Sequence, residues 1–401
     1  MKKTIAALMT AAALTGGAAQ AQISGDEVKI GVLTDMSGVY NAIAGQGSRV
    51  AALMAVEDFG GKVLDKPIRI VSADHQNKPD VASSTAREWI DEDGVDMITD
   101  MVTSSVGIAV QKIASAKGVI TINTGAGSTA LTNEECTPLG IHYAYDTYAL
   151  AAGAVKPVIA AGGDKWYFIT ADYVFGHSLE KNGAEMVKAS GGEVVGSVRH
   201  PFPSPDFSSY LLQAQGSGAD VIALANAGQD TTNAVRQAGE FGIGRGDQQL
   251  VGLLVFSSDV KSLGVKPAQG LQFVDSWYWD MNDETRAWAK RFEERTGSKP
   301  TSVHAANYSV VTQCLKAVEA AGTDEGKAVR EQLGKMTMND MYHKNATLRE
   351  DGRVMHDMYL MKVKAPNESE SEWDLLTVVD TVPAERAFQP LSQSTCKLVK
   401  Q

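Results

Sequence analysis

The sequence predicts an α/β protein built as two doubly wound, Rossmann-like lobes joined by a three-strand hinge. Three observations predict it. Strand and helix patterns alternate over 28–123 and again over 147–256. Two segments, HYAYDTY at 142–148 and DSWYWDMND at 275–283, break that alternation. The chain of 401 residues exceeds what one core of ordinary size holds.

The elements follow in order. Residues 1–21 read MKKTIAALMTAAALTGGAAQA. Lys2 and Lys3 head a short apolar run, and Ala19-Gln20-Ala21 is a small-x-small cleavage site, the pattern of a secretory signal peptide cleaved after Ala21. No lipobox cysteine follows the apolar run, and no later stretch approaches the roughly 18 apolar residues needed to span a bilayer. The expected location is outside the cytoplasm.

In the first series, strand patterns at 28–34, 68–73, 95–99 and 119–123 alternate with helix patterns at 47–59, 81–91 and 106–116. Strands separated by helices of this length imply parallel βαβ units with right-handed crossovers. A second series begins near 147, with helices at 148–160, 178–189, 208–215 and 231–241 and strands at 165–170, 192–198, 220–225 and 250–256. Helix patterns at 284–296, 302–321 and 325–334 return to the first lobe, and the tail holds strand patterns at 357–363 and 375–380. The first lobe is expected to hold 22–145 and 278–350, the second 146–277 and 351–385, with 386–401 returning to the first.

Hydrophobic residues make up 44% and charged residues 21% of the chain, a globular balance. The net charge is −11, and no basic cluster offsets it, which argues against nucleic acid or an anionic membrane as partner. A local site can still bind a small anion. Of three cysteines, Cys314 lies in an apolar helical pattern and reads as a buried thiol; Cys136 and Cys396 lie in polar, turn-rich segments and read as a disulfide. There is no CxxC, no HExxH, no GxSxG and no clustered histidine pair, so neither a metal nor any other cofactor is expected, and no enzyme chemistry.

In two facing α/β lobes, loops beyond the carboxyl ends of the strands meet at the cleft. Ser104 and Ser105 precede a helix, where hydroxyls and free amides suit a carboxylate or serve as an ordinary helix cap. Gly125 and Gly127 allow a ligand to approach the backbone, and the loop lacks the lysine of a phosphate loop. Tyr40, Tyr173 and Phe175 supply aromatic walls for a ligand or for lobe packing. Asn226 follows another strand in the second lobe.

The stretches GVLTDMSGVY, AALMAVEDFGG, KPIRIVSADHQNKPD, GVDMITDMVTSS, NTGAGSTALT, ADYVFGHSLE and NYSVVTQCLKAVEAAGT, in that order, resemble the leucine/isoleucine/valine-type periplasmic binding proteins of ABC transporters. The resemblance spans about 29–390 and implies a type I binding-protein fold closing like a Venus flytrap, without catalysis. It implies a monomer that passes a small carboxylate ligand to the permease and ATPase subunits of an importer. It places Ser104 where the family's serine grips the ligand carboxylate, and Gly125 and Gly127 where an alanine and a threonine complete that grip. It places Phe175, with Tyr173 beside it, at the family's aromatic position. The acid that meets an amino-acid ammonium would fall near 256–259, where the direct match is Ser257; Asp172, Asp230 or Asp259 could supply the charge instead. The ligand so implied is a branched-chain or other hydrophobic amino acid, with aromatic or other organic acids as the alternative. A different class, a ligand-sensing partner of a membrane receptor, uses the same fold.

Overall fold

The computed structural model describes residues 23–244 and 248–400. Residues 1–21, read as a signal peptide, lie outside the described residues.

The first lobe is built on β1 (Val28–Thr34), α1 (Gly45–Phe59), β2 (Lys62–Val63), β3 (Lys66–Asp74), α2 (Pro79–Glu88), β4 (Met97–Asp100), α3 (Ser104–Ala116), β5 (Ile120–Asn123) and β6 (Gly140–His142). These strands form one sheet in the order β2-β3-β1-β4-β5-β6, parallel except for the β2–β3 hairpin. The VKIGVLT run of β1 is unbroken because the strand sits mid-sheet with both faces covered. Chain order reverses across β1 and β4, so their following loops diverge and leave a crevice between them.

The second lobe comprises α4 (Thr147–Ala160), β7 (Lys165–Ala171), α5 (Val174–Ala189), β8 (Glu193–His200), α6 (Ser208–Gln215), β9 (Val221–Ala225), α7 (Gln229–Glu240), β10 (Gln249–Gly252), α8 (Ser257–Leu263) and α9 (Val265–Ala268). Its parallel sheet runs β10-β9-β7-β8, with the corresponding reversal between β7 and β9. Next come β11 (Gln272–Asp275), α10 (Asp283–Thr296), α11 (Ser302–Ala321), α12 (Gly326–Leu333), β12 (Thr347–Leu348), β13 (Val354–Met355), β14 (Met358–Val363) and β15 (Leu376–Val382). An antiparallel sheet β11-β14-β15 packs beside the second lobe. Helices α10 and α11 pack on α1, where Arg291 and Arg295 form paired hydrogen bonds with Asp58 and Glu57.

The chain passes between the lobes near 143–146, 276–281 and 353–357. Arg353 ties the first passage to the third. Its wholly buried guanidinium donates to the carbonyls of Tyr143 (2.8 Å) and Ala144, lies 3.7 Å from Asp146, and covers the Phe388 ring. Burial raises the Asp146 carboxyl, and Arg353 pulls it back down. A disulfide joins Cys136 to Cys396 and clips the tail onto the first lobe; Cys314 is free and buried.

Several boundaries differ from those read in the sequence. The run 250–256 is not one strand: β10 ends at Gly252 and residues 253–256 leave the sheet toward α8. Both environments are buried, so an apolar run alone does not separate them. Helix α3 begins at Ser104, ahead of its first apolar residue, because a polar first turn carries no periodic signal; α5 begins at Val174 and takes in Val174 and Phe175, which the sequence leaves in the loop after the strand. Strand β6 is only three residues long and ends on His142, the first residue of the segment read as a boundary.

Candidate functional site

The two chain-order reversals face each other, and the loops that leave them form one cleft. From the first lobe, Tyr40 and Ile43 follow β1, Val102, Thr103 and Ser104 follow β4, and Gly125 and Gly127 follow β5. Tyr145 comes from the first passage between lobes. From the second lobe, Tyr173 and Phe175 follow β7, Ala227 follows β9 and Leu254 follows β10.

One end of the cleft is polar. Thr103 is the N-cap of α3, but its hydroxyl donates to Asn77 Oδ1 at 2.8 Å and leaves the helix amides without a side-chain cap. Ser104 Oγ accepts from the Ser128 amide at 3.0 Å, so its proton is free to point into the cleft. Helix α5 also starts at the cleft without a side-chain cap, at Tyr173, and the uncapped start of α7 at Gly228 lies against Tyr40. Uncapped helix N-termini from both lobes thus border the cleft, and their amides and dipoles favour an anion.

The remainder is aromatic and apolar. The hydroxyls of Tyr40 and Tyr173 are 2.6 Å apart. Phe202, in the loop after β8, stacks on both rings, with centroids 5.7 Å from Tyr40 and 4.4 Å from Tyr173. Tyr145 donates its hydroxyl to the Gly125 carbonyl at 3.0 Å. Gly127 is small for a local reason: a Cβ there would lie 2.9 Å from Phe175 and 3.1 Å from Tyr145. A threonine at this place would displace the aromatic wall. Burial raises the phenols of Tyr40 and Tyr173, so both stay neutral.

None of the lining side chains is charged. Asp230, in the first turn of α7, is the nearest approach to a counter-charge in the second lobe. Its Oδ1 accepts from the Ser204 amide at 3.0 Å, while the buried Oδ2 has no hydrogen-bond partner and lies 3.8 Å from His200 Nδ1. Burial raises this acid to about 6. Asp259 is turned to the Phe256 amide (2.9 Å), and Asp172 pairs with His177 at 2.7 Å.

Of the residues expected from sequence, Tyr40, Ser104, Gly125, Gly127, Tyr173 and Phe175 lie together around the cleft. The other three lie outside this lining. Ser105 is the second residue of α3. Asn226 accepts from the Thr231 hydroxyl (2.7 Å) and faces His200. Ser257 opens α8, and from its segment it is Leu254 that reaches the cleft. Tyr145 and Phe202 were not singled out in the sequence. Tyr145 stood in a segment read only as a boundary, and Phe202 in a proline-rich loop without periodicity.

Comparison with known proteins agrees with this architecture. The model of the periplasmic binding protein family matches residues 27–369. A crystal structure of a periplasmic binding protein from Burkholderia mallei superposes with a TM-score of 0.92 at 51% identity, covering 94% of this chain and 100% of that one. A branched chain amino acid ABC transporter periplasmic ligand-binding protein from Burkholderia xenovorans gives 0.85 at 41% identity, covering 93% of this chain and 100% of that one. Leu/Ile/Val-binding protein homolog 6 of Brucella melitensis is 25% identical over 268 residues, 66% of this chain and 67% of that protein. Among the described residues no helix is long and apolar enough to cross a membrane. The chain belongs to the periplasmic binding protein family, the extracytoplasmic solute-binding proteins that deliver ligands to the membrane permeases of ABC transporters.

Proposed function

We propose that this chain is the monomeric solute-capturing component of an ABC importer, exported by the segment 1–21, and that its ligand is a small monocarboxylate with an apolar or aromatic body. The observation that carries the reading is the division of the cleft. Ser104 and uncapped helix amides form one polar end, and Tyr40, Tyr173, Phe175 and Leu254 surround the rest without a charged side chain. A carboxylate gains charge-assisted hydrogen bonds at the first end. An ammonium placed against Leu254 would be buried without a partner, at a cost of several kcal/mol.

A second reading, a hydrophobic amino acid, draws on Asp230 and on relatives named for leucine, isoleucine and valine. For it, the unpartnered Oδ2 of Asp230 would take the ammonium after the Tyr40–Tyr173 pair parts. A thermal-shift screen distinguishes the two. The panel holds hydrophobic amino acids, their keto-acid counterparts and benzoates. Stabilisation by the acids lacking an ammonium supports the first reading; stabilisation confined to the amino acids supports the second.

A further inference from the structure

Behind the polar end of the cleft lies a second carboxyl that the ligand site does not use directly. Asp100 ends β4, wholly buried, and its main-chain carbonyl accepts from the amides of Thr124 and Gly125. Its side chain reaches the same place: Oδ1 would lie 3.0 Å from a Cβ on Gly125. The loop carrying Val102, Thr103 and Ser104 starts from it. One residue thus braces both loops that form the anion end.

The site is costly in two ways. Asp100 and Met101 have φ of 76° and 54°, consecutive non-glycine residues in the left-handed region. Such backbone persists only where the surroundings enforce it, and it concentrates at ligand sites. The carboxylate is held only by neutral groups: Asn307 donates to Oδ2 at 3.4 Å, the Ser48 and Thr34 hydroxyls and the Val102 amide lie against it, and no contact to Oδ1 reaches full hydrogen-bond geometry.

We propose that Asp100 is a positioning residue that couples capture of a carboxylate ligand to uptake of one proton. This rests on the reading of the Ser104 end as a carboxylate site. An ionised Asp100 directly behind that end would repel the arriving carboxylate across a dry gap. Protonation removes the repulsion and turns one oxygen into a donor. The proton comes from the buffer and stays on Asp100 while the ligand is bound.

The surroundings suit this role. Thr34 at the end of β1, Ser48 on α1, the Val102 amide and Asn307 on α11 are uncharged polar groups. Tyr145 on the first passage faces Asp100, His75 beyond β3 meets the Val102 backbone next to it, and Asp35 follows Thr34 in sequence. Burial holds the His75 ring down to about 4 and the Tyr145 phenol up, so both are neutral near pH 7. Burial also raises Asp35, which the Tyr40 and Gly38 amides hold. Burial raises Asp100 to about 6 against the pull of Ser48, Thr34 and Asn307.

Two measurements test the proposal. The first is calorimetric titration with α-ketoisocaproate, leucine and benzoate in buffers of different ionisation enthalpy, from pH 6 to 8. Expected is net proton uptake on binding, with affinity falling by up to about tenfold per unit of pH, and loss of both in Asp100→Asn. Proton release, no proton exchange, or the same pH slope in the variant overturns it. Should Asp100→Asn not fold, Asp100→Ser replaces it, and the proton count is repeated in Asp230→Asn, where uptake must persist if Asp100 is the acceptor and its loss overturns the proposal. The second needs no ligand. A raised acid makes the folded state hold more protons than the unfolded one between about pH 4 and 6. The wild type should therefore lose melting temperature relative to Asp100→Asn as pH rises through that window. A constant difference overturns the titration of Asp100. Failure of all three probes to bind, with that difference pH-dependent, speaks against the carboxylate reading and the coupling built on it.

Discussion

Tyr40 and Tyr173 meet hydroxyl to hydroxyl at 2.6 Å across the cleft, one from the loop after β1 and the other from the loop after β7. This is a direct polar contact between the lobes at the ligand site, and Phe202 stacks on both rings behind it. Tyr40 is buried and Tyr173 half-buried at this contact.

Replacing Tyr173 by phenylalanine keeps the stacking and removes the bond. A neutral hydrogen bond contributes about 0.5–1.5 kcal/mol, enough to shift a two-state equilibrium between open and closed lobes several-fold. Small-angle scattering of ligand-free Tyr173→Phe should give a larger radius of gyration than the wild type. Identical profiles would mean that the pair does not hold the lobes.

In the proposed reading Ser104 holds the ligand carboxylate at the polar end of the cleft. Ser104→Ala removes a donor and leaves the Ser128 amide without its acceptor. Affinity for a carboxylate should fall by about 1.5–3 kcal/mol, the range for a hydrogen bond to a charged group. Equal affinities by calorimetry would place the carboxylate elsewhere.

The Cys136–Cys396 disulfide spans a sequence separation of 260 residues and restricts a long loop in the unfolded chain. Replacing both cysteines by serine should cost about 2–4 kcal/mol in denaturant unfolding. Peptide mass spectrometry of the unreduced wild type should show 136 linked to 396 and Cys314 free. No loss of stability in the double variant would show that the tail is held by its other contacts, among them the hydrogen bond from the Thr395 amide to Asn133 at 3.0 Å.

His304 caps α11 as a neutral ring. Its Nδ1 accepts from the Thr301 amide, which leaves Nε2 to donate to the Ala44 carbonyl at 2.8 Å. Burial lowers it to about 4, against 6.5 unperturbed. The unfolded chain then binds more protons between those values, so this residue's contribution is present above pH 6.5 and is lost as pH falls toward 4. Denaturation of wild type and His304→Gln at pH 7 and 4.5 should show the wild type losing ground to the variant in acid. A difference that does not change with pH would contradict a neutral buried ring.

Most of the fold was legible because its parallel strands are continuous apolar runs and its crossover helices have ordinary length. The polar end was only half legible: hydroxyl residues after a buried strand read equally as a helix cap, and the structure makes Thr103 the N-cap of α3 while Ser104 lines the cleft. Leu254 was not legible, because an apolar residue facing a cleft and one facing a core look alike in sequence. Ser257 was named through the resemblance alone, and the structure puts it at the start of α8, outside the cleft lining. Phe202 and Tyr145 were hidden for a different reason, since stacking partners come together only once the lobes are assembled.

The absence of charge around Leu254 is the centre of the functional account, and one pair of ligands addresses it. Leucine and α-ketoisocaproate share a carboxylate and an isobutyl body and differ by the ammonium. Titrated calorimetrically into the same protein at neutral pH, the keto acid should bind at least about tenfold more tightly, since burying an unpaired ammonium costs several kcal/mol. Leucine binding as tightly as the keto acid, or more tightly, would contradict the account and assign the ammonium to Asp230.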